Sequence, residues 1–284
     1  NHTTRYVPNT AFQIHIKVIT EKNKKMSYED ISPEKPQLSN SSTNQKLVEQ
    51  NQIQNIISLK LYLKVYINLI LYYNNIYPSN VFTSLLNSKK IFNLSMHLPM
   101  IRHPRIEEYI EKIIDSFVND ILLISFTTLL EHDYDDEDDE NFNYVNNTLK
   151  FIIELIEIKP IESINQKFIT NEFNLDFINF PIDFYQNANP QEVISVYREN
   201  LINLNTFLKL NSSNKTKYDK TFDVKVEIPD KFPLSKDKQY EWFYLHKQKA
   251  NNQQAIEVSN LPLKEMEFED NVIIYSNYKH YTND

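Results

Sequence analysis

The chain of 284 residues contains no glycine and no cysteine. Without glycine it cannot form a glycine-rich phosphate loop, a dinucleotide-binding fingerprint or a G-x-S-x-G nucleophile elbow. Without cysteine it has no thiol nucleophile, no disulfide and no thiolate metal site. Any position that needs a positive φ must be filled by Asn or Asp. We therefore predict a protein that is not an enzyme and that needs no cofactor or metal.

The formal net charge is −8, from 30 basic and 38 acidic residues. The field of such a chain repels nucleic acid unless a local basic patch overrides it, so DNA contact is predicted to be indirect. Hydrophobic residues make up 41% of the chain, which is enough for a core. The excess of Asn, Ile, Lys and Tyr is typical of an AT-rich genome.

The most apolar segment runs from Ile56 to Tyr73, about the length of a membrane span. Lys60, Lys64 and Asn68 recur within it at four-residue spacing and so share one face of a helix. This pattern predicts a core helix with a single wet stripe, and no membrane partner.

The N-terminal region divides into a strand and a linker. Residues 11–19 alternate apolar and polar side chains, which predicts a half-buried strand. From about Glu21 to Lys46 the composition is rich in Lys, Ser, Asn, Pro and Glu, as in linkers. We place a boundary near residue 46, with residues 1–46 as an N-terminal extension and 47–284 as one domain.

Three helices are predicted. The first runs from about Leu47 to Ile76 and is ended by Pro78, since proline disfavours helix in the residue before it. The second begins at Pro104, a favourable first-turn residue, and presents an apolar face from Ile106 to Phe117. The third begins with Asn189 as its N-cap and buries a stripe of five residues: Val193, Tyr197, Leu201, Leu204 and Leu208.

Strands are predicted in the second half of the chain. The runs 121–130 and 148–158 indicate an antiparallel pair on either side of the acidic stretch 133–140. We interpret that stretch as a solvated loop in preference to a calcium site, because an EF-hand loop needs a glycine and flanking helices. Further strands are predicted at 222–228, 241–245 and 272–275. Helices and strands do not alternate as β-α-β units, so the class is α+β with an antiparallel sheet.

Side chains that carry chemistry are scattered. No two of the seven His residues have the i, i+4 spacing of a metal pair, and His103 is assigned a structural role beside Pro104. The only tryptophan, Trp242, stands in the aromatic run Trp242-Phe243-Tyr244. Core packing and an aromatic anchor for a partner are both open for this residue.

Several motifs resemble those of HORMA-domain proteins. The stretch Leu63 to Phe82 is similar to the first core helix of that family and its following Tyr-Pro-x-x-x-Phe turn. N-L-S-M (93–96), H-P-R-I-E-E-Y-I-E (103–111), the Trp242 segment and L-P-L-K (261–264) follow in the family's order. The likeness spans roughly residues 55 to 281. It is strongest to members that serve as accessory subunits of translesion DNA polymerases.

The resemblance implies a HORMA fold, with a three-stranded antiparallel sheet backed by three helices. It also implies a core from about 55 to 230 and a C-terminal "safety belt" from about 231 to 284. In that family the belt closes over an extended segment of a partner, which adds as a strand beside the sheet. Main-chain hydrogen bonds then supply affinity, and side-chain pockets supply selectivity.

The resemblance also implies partners and sites. One partner is a Pro-containing segment of the catalytic subunit of DNA polymerase zeta, held by Tyr77, Pro78, Tyr109 and Trp242. The other is the C-terminal domain of the deoxycytidyl transferase that scaffolds translesion synthesis, bound near the last strand at Leu261, Leu263 and Tyr275. The implied function is a nuclear, non-catalytic adaptor in DNA repair, and a homodimer is left open.

Two alternatives remain at this stage. The chain could be a HORMA adaptor of the spindle checkpoint or the meiotic chromosome axis, or an unrelated structural protein. Residues 1–46 have no counterpart in the resemblance. They are interpreted as a disordered extension, as a segment preceding a true start at Met26, or as a tethered ligand of the chain's own site.

Overall fold

The computed structural model describes residues 12–16, 41–85, 92, 94, 96–122, 148–161, 164–178, 188–212, 218–228, 242–245, 256–268 and 272–282. Its α-helices are α1 (Ser41–Tyr73), α2 (Pro104–Ser116) and α3 (Pro190–Asn211). Its strands are β1 (Phe12–Ile16), β2 (Phe82–Ser84), β3 (Pro99–Ile101), β4 (Thr148–Ile161), β5 (Ile164–Ile178), β6 (Asp219–Ile228), β7 (Trp242–Leu245), β8 (Ile256–Glu267) and β9 (Ile273–Thr282).

The predicted starts of α2 and α3 are confirmed, whereas α1 begins at Ser41, inside the predicted linker and before the predicted start at Leu47. Pro104 is the first residue of α2, and Pro190 is the first residue of α3. The Asn189 side chain caps α3, since its Oδ1 accepts a hydrogen bond from the Gln191 amide at 3.1 Å. The five residues of the predicted apolar stripe of α3 are all buried.

Helix α1 is the centre of the core. The second half of α1 is buried on several faces. Tyrosine hydroxyls in this half form hydrogen bonds to neighbouring elements. Tyr62 donates to Asn200 of α3 at 2.8 Å, and the Tyr66 hydroxyl is 3.1 Å from that of Ser276 in β9. A buried tyrosine thus contributes apolar area while its polar tip stays satisfied, and α1 is tied to both layers of the fold.

The polar stripe of α1 faces protein, which corrects the prediction of a wet stripe. Lys60 pairs with Asp115 of α2 at 2.7 Å, and Lys64 pairs with Glu107 at 3.0 Å. Asn68 is only 1% exposed and accepts a hydrogen bond from the Ile101 amide at 2.8 Å. By length and hydropathy, residues 47–73 could cross a membrane, but 61% of the apolar 18-residue window is buried inside the protein.

Helix α1 ends before Pro78, at Tyr73, through an asparagine. Asn75 adopts a positive φ of 54°, and the Ile76 amide donates to the Leu71 carbonyl at 3.1 Å. This is the geometry of a Schellman cap, in which a left-handed residue usually filled by glycine turns the chain out of the helix. The prediction that asparagine fills such positions is confirmed here, whereas the prediction that Pro78 ends the helix is wrong.

The main sheet is antiparallel throughout, with strand order β7-β1-β6-β4-β5-β9-β8. At its centre β6, β4 and β5 form the three-stranded sheet that was expected. The helix-covered face of these strands is buried and apolar, with Phe151, Ile153, Phe173, Leu175, Val224 and Val226. The α+β class with an antiparallel sheet backed by three helices is confirmed.

The predicted pairing of 121–130 with 148–158 is wrong. Residues 121–122 belong to a π-helical turn (Phe117–Leu122) that continues α2. A strand has two hydrogen-bonding edges, and both edges of β4 are filled, one by β5 and the other by β6. β5 and β8 were not predicted as strands from the sequence. The acidic stretch 133–140 lies outside the described residues.

Candidate strand-binding site

The described sheet contains a slot between β6 and β7, and β1 lies in it. Strand β1 runs antiparallel to both neighbours, with Phe12 opposite Ile228 and Ile14 opposite Val226 on one side. On the other side Ile14 lies opposite Tyr244, and Ile16 lies opposite Trp242. β6 and β7 are therefore bridged by a strand that comes from the N-terminal end of the chain.

Three aromatic residues, Tyr77, Tyr109 and Phe222, form a cluster beside this slot. The rings of Tyr77 and Phe222 lie 6.3 Å apart, and those of Tyr109 and Phe222 lie 5.9 Å apart, both edge to face. The turn after α1 positions Tyr77, helix α2 positions Tyr109, and β6 carries Phe222. We call these three residues the aromatic cluster.

The cluster lies in line with the slot. β1 pairs with β6 from Lys225 to Ile228. Phe222 lies three residues before Lys225 on the same strand, and alternation puts it on the face of Val224 and Val226. A longer strand in the slot would therefore reach the cluster on the helix-covered side of the sheet.

The electrostatics of the cluster suit hydrogen-bond donation. Burial, with smaller contributions from Asp223 and Tyr77, raises the pKa of the Tyr109 hydroxyl above its usual value. Burial likewise raises the pKa of Tyr77. Both phenols thus remain protonated at neutral pH, and each is able to donate to a main-chain carbonyl that comes within reach.

The structure brings together part of the predicted peptide site. Tyr77 and Tyr109 meet through Phe222, and the backbone of Trp242 lies in β7 across the slot, opposite Ile16. Pro78 is exposed and begins the 3-10 turn Ser79–Val81. Phe222 is the residue that sequence reasoning missed, and the alternation of F-D-V-K-V-E-I, which puts it on the apolar face, was the signal for it.

The predicted second surface lies at the opposite end of the sheet, on β8 and β9. Leu261 is 45% exposed and lies opposite Tyr278 on the helix-covered face. Tyr275 lies opposite Glu265 and Asp176, on the other face. Leu263 falls where the register shifts between Pro262 and Lys264, and it packs partly against the core. The three residues are near in the sheet but do not share one face.

A groove of about 620 Å³ adjoins Leu261 where α3 ends over the sheet. Its floor comes from β5 and β9, and the carboxyl end of α3 forms a wall; residues of these elements include Asn171, Phe173, Phe207 and Tyr278. The side chain of Asn171 donates to the Tyr278 hydroxyl at 2.6 Å. The exposed Leu261 together with this groove is the part of the second surface that could receive a side chain of a partner.

The face of the central sheet that lies away from the helices carries ion pairs. Lys225 lies 2.6 Å from Glu154, and Lys279 lies 2.9 Å from Glu172. Burial alone would raise the pKa of Glu172, but Lys279, with hydrogen bonds from Asn174 and Tyr281, holds it below its usual value. Burial raises the pKa of Glu154. Among the residues that the structure describes, no group of three or more His, Asp or Glu side chains is placed to hold a metal ion.

The geometry defines an antiparallel sheet that takes an added strand between its centre and a C-terminal strand, as the HORMA resemblance implies. The chain is 46% identical over 56 residues to the DNA polymerase zeta processivity subunit of Saccharomyces cerevisiae. The match covers 20% of this chain and 22% of that protein. The resemblance to the polymerase zeta accessory subunit is thus confirmed over a short stretch. No family model matches the chain.

The chain is similar to three solved structures at low sequence identity. A chain of the mitotic checkpoint complex gives a TM-score of 0.48 at 11% identity, covering 79% of this chain and 97% of that chain. HTP-2 bound to HTP-3 motif-6 gives 0.39 at 9%, covering 78% and 88%. Caenorhabditis elegans HTP-1 bound to the HIM-3 closure motif gives 0.36 at 9%, covering 80% and 89%. All three TM-scores lie below 0.5. The function proposed below is therefore based on the slot and on the 56-residue match to the processivity subunit.

Proposed function

We propose that this protein is a non-catalytic adaptor that holds an extended partner segment as a strand between β6 and β7. The observation that carries the proposal is the slot itself, since β1 pairs there with both strands in a continuous antiparallel register. Strand addition gives affinity through main-chain hydrogen bonds, and the aromatic cluster gives selectivity at one end of the slot.

The proposed partner is the catalytic subunit of DNA polymerase zeta. The support is the short match to the processivity subunit of that polymerase, together with the motifs around Tyr77 and Tyr109. In this proposal Tyr77 and Tyr109 contact the partner segment from the helix side, and Trp242 lies across the slot in the belt. Pro78 follows Tyr77 and begins the 3-10 turn Ser79–Val81.

The proposed second partner is the C-terminal domain of the deoxycytidyl transferase of translesion synthesis. Leu261 is its best-placed contact, because β8 is the outermost described strand at that end of the sheet and Leu261 is exposed there. Leu263 and Tyr275 support this strand from the core and from the other face. The adaptor then works in the nucleus and meets DNA through its partners.

Affinity purification of the full chain followed by mass spectrometry tests the proposal. We expect the catalytic subunit of polymerase zeta and the deoxycytidyl transferase among the recovered proteins. Tyr109→Ala should lose the first and Leu261→Asp should lose the second. Ile164→Asp, at an aliphatic residue that is more exposed (65%) than Leu261 (45%), should lose neither. Recovery of spindle-checkpoint or chromosome-axis proteins in their place would assign the adaptor to those pathways and contradict the polymerase assignment.

A further inference from the structure

The slot is occupied in this structure by a segment of the same chain. β1 makes four registered pairs with β6 and four with β7, so its backbone lies between the two strands like a captured peptide. Its connection to the rest of the protein is the 24 residues from Lys17 to Asn40, before α1 begins at Ser41. The strand is joined to the domain by sequence that has a linker composition.

The sequence of β1 suits the slot in one register. Phe12 and Ile14 take positions opposite Ile228 and Val226, which are buried on the helix-covered face. Gln13 and His15 take positions opposite Glu227 and Lys225, on the charged face. A slip by one residue would exchange the two sets, so the alternation of apolar and polar residues specifies this pairing.

The part of β6 that pairs with β1 is short compared with the whole of β6. β6 has ten residues, and β1 pairs with its last four. A partner segment that ran along more of β6 would form additional main-chain hydrogen bonds and would also reach Phe222 and the aromatic cluster. The described pairing of β1 with β6 ends at Lys225, three residues short of Phe222.

We propose that Phe12–Ile16 is a tethered, exchangeable occupant of the slot, which a partner segment must displace before it is captured. This inference rests on the proposed function, since it concerns the same slot. A covalent connection of this length keeps β1 at a local concentration of roughly millimolar order. The apparent affinity for a partner equals the intrinsic affinity multiplied by the fraction of chains in which β1 has left the slot, so only a longer or better-fitting strand exchanges readily.

A labelled synthetic peptide with the sequence of residues 9–19 tests occupancy in the full chain. Ile14→Pro in the protein removes a main-chain donor and the strand conformation from β1, so the vacated slot should bind the peptide at least tenfold more tightly than wild type does. Thr4→Pro, which lies outside β1, should behave as wild type. The same peptide carrying Ile14→Pro should not bind the variant.

Two results would overturn the proposal. Equal binding of the peptide to wild type and to the Ile14→Pro protein would show that β1 does not occupy the slot. Binding to neither would show that the slot does not accept this strand. Recovery of the polymerase subunit by wild type and by the Ile14→Pro protein is measured separately. The proposed adaptor function can therefore hold when the tethered occupant is disproved, and the tethered occupant can hold when the adaptor function is disproved.

A disulfide provides a test that does not depend on disrupting β1. The chain has no cysteine, so Gln13→Cys with Glu227→Cys introduces its only two thiols, at directly opposed positions. We expect an intramolecular cross-link that slows association of the peptide at least tenfold and is reversed by reductant. Gln13→Cys with Asn260→Cys, which places the second thiol on β8, should not cross-link. Failure of the opposed pair to cross-link in folded protein would contradict the proposal.

Discussion

At the scale of the residue, Tyr109 combines a partly buried ring with a protonated hydroxyl. It packs edge to face on Phe222, and burial raises the pKa of its hydroxyl. Such amphipathic aromatics at the end of a binding slot are the residue type that dominates interface energetics. In the proposed site, the contribution of Tyr109 to binding of the partner segment can be divided between its ring and its hydroxyl.

Tyr109→Ala is expected to weaken capture of the catalytic-subunit segment by about 2 kcal/mol or more. Tyr109→Phe keeps the ring and should cost about 1 kcal/mol, the usual net value of one hydrogen bond. Trp242→Ala is expected to act like Tyr109→Ala, and for all three the effect should lie mainly in dissociation. Stopped-flow dissociation rates measure this, with circular dichroism as the control for folding. Unchanged rates in folded variants would remove these residues from the site.

The buried charge of Asp176 destabilises the folded protein. It lies in β5 opposite Tyr275, and its Oδ1 is buried without a hydrogen-bond partner. Burial raises the pKa of its carboxyl, although Lys150 and Lys279 act in the opposite direction. Because the folded pKa is raised, the folded state binds the proton more readily, and stability falls as pH rises from the unfolded pKa through the folded pKa.

Asp176→Asn should therefore raise the free energy of unfolding at pH 7 by roughly 1 kcal/mol, the scale of one poorly satisfied buried polar group. The gain should disappear at acid pH, where the wild-type carboxyl is protonated as well. Urea titrations at both pH values measure the difference. Asp219→Asn, at an exposed residue of β6, is the matched control and should change little. A loss of stability at pH 7 would show that the pairing with lysine outweighs burial.

At the scale of the element, the end of α1 decides where Tyr77 lies. The turn through Asn75 has a positive φ of 54°, and it brings Tyr77 against Phe222. A chain without glycine must use a residue with a side chain at this point, at some cost in conformational energy. The position of the aromatic cluster therefore depends on a single backbone conformation.

Asn75→Ala is expected to destabilise the protein by about 1 kcal/mol, because alanine disfavours the left-handed conformation. Asn75→Gly should keep or slightly increase stability, and it should preserve peptide capture. Thermal unfolding of the two variants, together with their binding of the catalytic-subunit segment, gives the comparison. If alanine and glycine behaved alike, the capping role of Asn75 would be wrong.

At the scale of the whole molecule, the net charge of −8 governs contact with nucleic acid. We expect binding to duplex DNA no tighter than about 10⁻⁴ to 10⁻⁶ M, the range of non-specific binding, and its loss between 50 and 200 mM salt. Fluorescence anisotropy over that range of salt measures it. Tight binding that persisted at high salt would indicate a specific DNA site on the protein and would contradict an adaptor that meets DNA only through partners.

Much of the fold followed from local patterns in the sequence. The starts of α2 and α3 were predictable because Pro104, Asn189 and Pro190 act through their own backbone and side-chain chemistry within one turn. The buried stripe of α3 was predictable from its spacing. The strands β4 and β6 were predictable because alternating or continuous apolar runs suit a sheet with one covered face.

Tertiary structure decided which elements meet, because pairing between strands far apart in sequence leaves no local signal. Residues 121–130 had the composition of a strand, yet the edges of β4 went to β5 and β6. The sequence predicted that Lys60 and Asn68 face solvent, but in the fold α2 and β3 provide their partners. In the same way, the alternating pattern of residues 11–19 predicted a strand in this region. Only the fold placed Phe12–Ile16 between β6 and β7, since the register depends on the faces of both neighbours.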